Sequence, residues 1–184
     1  LYLIVVLRTL TSLAFATFVP VMLTRRGLSV GQAGVAVAVY LFGTGLGGFM
    51  GGPAADRFGP RRVIALSLVV ACPFLVVAPL LTGWLFVVVL AIGGLFLQST
   101  LPVNVTFGQA LAPVSAATVS SLMMGFGWGT GGLSVPLVGF IADRVGIEPT
   151  LIGLSFVPLV AAACATRLPD EPRHLPAVEP AVVR

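Results

Sequence analysis

The sequence predicts an all-α, polytopic membrane protein whose six transmembrane helices form two inverted three-helix repeats, and three observations carry that expectation. Charged residues make up 9% of the 184 and hydrophobic ones 58%, against roughly a quarter charged in an ordinary soluble domain. Residues 63–142 contain no formal charge, a run about four times the roughly 20 residues that one helix needs to cross a bilayer core. Gly52, Ala55, Asp56, Arg57 and Gly59 recur 87 residues later as Gly139, Ala142, Asp143, Arg144 and Gly146. Each copy closes the second helix of a three-helix unit. Three crossings is an odd number, so consecutive units face opposite sides of the membrane.

Breaking the chain at charges, prolines and polar clusters places the crossings near 2–24, 30–52, 62–81, 84–103, 115–140 and 147–166. Each is long and apolar nearly all round. Helices are therefore required, because a strand edge in lipid would leave its backbone donors unsatisfied. The first segment carries Arg8 and stops at Arg25-Arg26; the second runs into the charged stretch Gly52–Arg62, from which the third starts. The fourth begins after Thr82-Gly83, the fifth after Pro113, and Asp143-Arg144 separates the fifth from the sixth. One bundle thus spans 1–168, with repeats at about 1–82 and 83–168. Beyond it, Pro169, Pro172, Pro176 and Pro180 stand among charged residues, so 169–184 is expected to be a disordered cytoplasmic tail.

Several function classes are excluded by the same pass. A secretory leader would explain one apolar run near the start, whereas here such runs fill the chain. All ten basic residues are Arg and sit singly or in pairs between apolar segments, not clustered on one face as nucleic-acid binding requires. Cys72 and Cys164 lie inside apolar segments without metal-ligand or disulfide spacing. The single His, His174, falls in the tail, so no nucleophile, base and orienting group can be assembled; no enzyme, no cofactor and no metal is expected. Gly43-x-Gly45-x-x-Gly48 imitates a dinucleotide fingerprint but lacks the preceding strand and the later acid. Asn104-x-Thr106 imitates a glycosylation site in a loop expected to be cytoplasmic, and is read as chance.

Orientation follows from the Arg distribution, since basic loops are retained on the cytoplasmic side. With the N-terminus inside, Arg57, Arg61, Arg62, Arg167, Arg173 and Arg184 are cytoplasmic, and Arg25, Arg26 and Arg144 are outside. Both termini are then cytoplasmic.

The sharpest local motif comprises Gly52, Asp56, Arg57, Gly59, Arg61 and Arg62. Gly59 supplies a permissive backbone and Pro60 suits the first turn of a helix, which makes a stiff turn between two crossings. Asp56 stands near the C-terminal end of helix 2, where the helix dipole disfavours an anion. It needs a partner: Arg57, Arg61, or the free donors that open helix 5 near Ser115. A bond made in one conformation only would act as a latch; the plainer alternative is that these charges stop the helix and set topology. Gly139, Asp143, Arg144 and Gly146 form a looser second copy.

This motif resembles the loop signature of the major facilitator superfamily, matching every defining position. Val119–Leu133 followed by Gly139–Asp143, and Leu97–Pro102 leading to Gly108–Pro113, are similar to the eleventh and tenth helices of the fosmidomycin resistance subfamily. The resemblance runs from about Arg8 to Leu168. It implies the C-terminal six-helix half of a transporter, in a bacterial inner membrane, that exports a small amphiphilic or anionic drug or metabolite by alternating access coupled to protons. The missing N-terminal half, the lipid bilayer and a small-molecule substrate are the implied partners. The chain begins at Leu1 rather than Met, which fits a piece of a longer protein. A six-helix homodimer, or a truncated scaffold that transports nothing, is the alternative.

The spacings Gly43/Gly47/Gly51, Gly48/Gly52, Gly125/Gly129 and Gly127/Gly131 let helix backbones approach closely. The resemblance implies that helices 2 and 5 meet the other half along smooth, sliding faces; static packing within one bundle is the alternative. It also implies that helices 1 and 4 line a central cavity, which makes Arg8, Thr9, Ser12, Thr17, Gln98, Ser99 and Thr100 the candidate substrate contacts. Ser and Thr can instead bond back to their own helix, and Arg8 lies within snorkelling reach of the headgroups. Gln98 has neither escape. Asp56, Asp143 and Glu148 all sit at helix ends, so proton-carrying carboxylates are expected in the missing half.

Overall fold

The computed structural model describes residues 1–112 and 115–168; the expected tail at 169–184 lies outside them. Six helices are long and apolar enough to cross a membrane: α1 Tyr2–Arg25, α2 Val30–Phe58, α3 Pro60–Leu80, α4 Gly83–Leu111, α5 Ala116–Val145 and α6 Ile147–Ala165. Among the described residues there is no strand. α3 tightens to a 3-10 turn at Ala78–Leu80. α5 is π-helical over Ser121–Phe126 and interrupted at Ser134, and α6 is interrupted between Leu154 and Val157.

Three helices overrun their expected ends. α2 continues through Pro53 to Phe58, α4 through Pro102 to Leu111, and α5 to Val145. Polar and charged residues mark where the apolar segment stops, but they do not stop a helix whose backbone bonds still close. What ends α2 and α5 is the first residue with a non-helical backbone. Gly59 has φ 87° and ψ 141°, and Gly146 has φ 107° and ψ 153°, a region open essentially to glycine alone. Each donates its N–H to the Ala four residues back, Ala55 or Ala142, at 2.9 Å. The next residue already begins a helix, so both copies of the motif form one-residue joints. At the other end of α2, Ser29 and Gln32 form a reciprocal capping box.

α2 and α3 pack on α4, α5 and α6 pack on α1, and α3 meets α6. The first helix of each three-helix unit is thus clasped by the second and third helices of the other unit. Phe15, Ile64, Leu68, Leu75, Leu90, Leu97 and Leu151 fill the centre, while Phe42, Phe49, Leu66, Trp84 and Leu133 face outward. Lipid solvates such an outer face as well as a core would, so close packing has to hold the helices together. The main seam sets Gly43, Gly47 and Gly51 of α2 against the backbone of Ala91, Leu95 and Ser99 of α4. Equal steps of four on both sides mean that the two helices run parallel and in register. The charged ends separate: Arg61 donates to the Thr166 carbonyl at one end of the bundle, and Arg26 pairs with Glu148 at the other.

Candidate functional site

Arg8 stands two turns into α1, and its side chain turns into the bundle, leaving it 1% exposed. Nη1 donates to Oε1 of Gln98 on α4 at 2.6 Å, and Nη2 donates to Oγ1 of Thr9 at 3.1 Å. Nε has no partner among the described residues. A guanidinium has only donors, so the bond turns the Gln98 carboxamide oxygen inward and its NH2 group away. Pro102 adds to the polarity, because it lacks the N–H that would bond the main-chain carbonyl of Gln98 within α4.

No carboxylate answers this charge among the described residues. Asp56, Asp143 and Glu148 are all exposed at helix ends, and Glu148 pairs with Arg26. Among the described residues, the groups that hydrogen-bond Arg8 are neutral side-chain oxygens. Charged side chains inside membrane helices are rare because they are costly, so keeping one turned into the bundle points to a use.

The other candidate contacts divide. Ser12 and Tyr40 approach through their hydroxyls at 3.5 Å, one turn along from Arg8. Ser99 and Thr100 are buried, and their hydroxyls bond back to the carbonyls of Phe96 and Leu97 at 2.8 and 2.9 Å. Thr17 is exposed. The structure therefore brings together Arg8, Thr9 and Gln98, with Ser12 beside them, and leaves Ser99 and Thr100 tied to their own helix.

Asn104 was missed, and its expected loop position is corrected: it lies inside α4 and is 0% exposed. Neither amide atom has a hydrogen-bond partner among the described residues. One turn further on, Gly108 approaches Leu1, Val119 and Met123, and Met123 belongs to the π-helical stretch of α5. The signal in the sequence was an amide set in an apolar run; treating Thr106 as its companion hid it.

Asp56, in the last turn of α2, is exposed and has no ion pair among the described residues. The expected bond from Asp56 to the start of α5 is not made among the described residues. Arg57 lies 5.9 Å from the centre of the Phe58 ring, and in the second copy Arg144 lies 4.0 Å from that of Phe140. Arg62 is exposed. The glycines split into two sets. Gly43, Gly47 and Gly51 pack on α4, and Gly127 and Gly131 on Val5 and Thr9 of α1, whereas a methyl added at Gly45, Gly48, Gly52, Gly125 or Gly129 would meet no other described part of the protein within 4 Å. α2 and α5 each carry one packed glycine stripe and one open one. A cavity of about 640 Å³, lined by Leu23, Gln32, Ala36, Trp84 and Phe86 among others, opens at the Arg26 end. It contains none of the sequence-derived contacts.

A family model described as Major Facilitator Superfamily matches residues 1–183. The uncharacterized MFS-type transporter YfnC of Bacillus subtilis is 38% identical over 133 residues, which cover 72% of this chain and 32% of that protein. The fosmidomycin resistance protein of Escherichia coli is 34% identical over 152 residues, covering 80% of this chain and 36% of that protein. The chain thus spans about a third of the length of the curated relatives it matches.

Proposed function

Because this chain belongs to the major facilitator superfamily, we propose that it is the C-terminal six-helix half of an alternating-access transporter that exports a small solute. The observation that carries this reading is the buried Arg8–Gln98 bond, which joins α1 to α4 inside an otherwise apolar bundle. An ionisable group kept at membrane depth marks a solute or ion path. The second six-helix half closes the cavity and supplies the carboxylates for proton coupling. The open stripes, Gly45/Gly48/Gly52 and Gly125/Gly129, form the faces that slide against it. Asp56 is the latch, with Gly52, Arg57, Gly59, Arg61 and Arg62 shaping its loop and Gly139, Asp143, Arg144 and Gly146 repeating that shape on the opposite side. Both termini lie in the cytoplasm of a bacterial cell, by the placement of Arg.

The likeness to the fosmidomycin resistance protein supports efflux over uptake. The test is accumulation of fosmidomycin, and of a panel of anionic and amphiphilic solutes, in cells expressing the full-length polypeptide that carries this chain. Lower accumulation than in vector controls, reversed by a protonophore, is the expected result. Equal accumulation across the whole panel would sink the efflux reading.

A further inference from the structure

We infer that the Arg8–Gln98 pair makes the solute site selective for anions, with Gln98 as the contact and Arg8 as the residue that positions and polarises it. This rests on the reading above that the bundle faces a transported solute. Arg8 is too buried to meet a solute itself, and among the described residues the hydrogen bond it makes outside α1 goes to Gln98. Arginine cannot accept a hydrogen bond, so it holds Oε1 of Gln98 and leaves the partly exposed Nε2 to donate. Among the described residues Nε2 has no acceptor. The site therefore presents a donor backed by a positive charge that no described carboxylate offsets. A phosphonate, phosphate or carboxylate oxygen satisfies both, since hydrogen bonds between charged partners in a dry site are the strong ones. A cation is repelled, and a neutral hydroxyl gains the hydrogen bond without the charge.

The same chemistry could be met by an anionic lipid headgroup, so the experiment separates the two. The full-length protein is placed in phosphatidylcholine nanodiscs, and binding of phenylphosphonate, benzyl alcohol and benzylammonium is measured by calorimetry. Phenylphosphonate is expected to bind about ten-fold or more tightly than the others, the size of one charge-assisted hydrogen bond. Gln98→Glu is the decisive variant. Its carboxylate pairs with Arg8, so the fold is kept, while the site loses its donor and its net charge; phosphonate preference should vanish with the unfolding temperature retained. Arg8→Lys keeps the charge and should keep the preference in weakened form. Equal binding of phosphonate and ammonium by the unaltered protein would overturn the inference. So would an intact preference in Gln98→Glu, or displacement of phenylphosphonate by phosphatidylglycerol nanodiscs. Selective binding without flux would defeat the transporter reading alone, and export of benzylammonium would defeat the anion selectivity alone.

Discussion

Gly47 lies so close to α4 that a Cβ built on it would stand 2.0 Å from the carbonyl oxygen of Leu95. The neighbouring atom is backbone, which cannot swing aside, so the two helices would have to part. Gly47→Ala should lower stability by about 1–3 kcal/mol, the usual cost of overpacking. Gly48→Ala, one residue along and with no neighbour within 4 Å, should be neutral or slightly stabilising within the folded bundle, because alanine favours helix. Thermal unfolding in detergent compares the two; equal effects would disprove the split between packed and open stripes.

Gly59 and Gly146 occupy matching backbone positions that only glycine adopts freely. Gly59→Ala and Gly146→Ala should each cost about 1–3 kcal/mol. Gly59 has no atom within 4 Å of the added methyl, so its loss would be conformational and not steric. A Gly59→Ala variant that melts with the parent protein would refute this account of the joint.

Arg26 does more than pair with Glu148. Its Nη1 donates to the Leu81 carbonyl at 2.9 Å, and Nη2 bonds the Pro79 carbonyl, where α3 hands over to α4. The carboxylate is half-exposed, and exposed ion pairs contribute only about 0–1 kcal/mol. Glu148→Gln should therefore cost less than about 1 kcal/mol. Arg26→Ala, which also strips two carbonyls of their donor, should cost about 1–3 kcal/mol. Comparable losses in chemical denaturation would show that the ion pair, not the turn, matters.

The Asn104 amide is buried without a partner among the described residues, a cost of roughly 1–3 kcal/mol. Asn104→Leu, close in size and fully apolar, is expected to raise the unfolding temperature. A fall would mean that the amide is satisfied in the membrane-embedded protein.

Asp56→Asn should shift the balance between inward- and outward-open states without preventing membrane insertion. Cysteine probes on either side, in a background lacking Cys72 and Cys164, report that balance. An unchanged labelling pattern would remove the latch.

The sequence by itself determined the class and count of the helices, because separate segments that are each long and apolar nearly all round satisfy their backbone in lipid as helices. It also determined the repeat: Gly52–Gly59 and Gly139–Gly146 share five of eight residues, and their closing glycines, Gly59 and Gly146, adopt the same backbone. Only the tertiary structure decided which glycines pack. Gly47 and Gly48 are adjacent and chemically identical, and what separates them is the 100° between consecutive residues on a helix whose neighbour lies on one side. The same holds for the polar candidates. Gln98 meets Arg8 on another helix while Ser99 and Thr100 bond their own backbone, because a short hydroxyl can reach its own carbonyl and a long side chain can reach a neighbouring helix. The pairing of Arg8 with Gln98, 90 residues away in the chain, existed only once α1 and α4 were side by side.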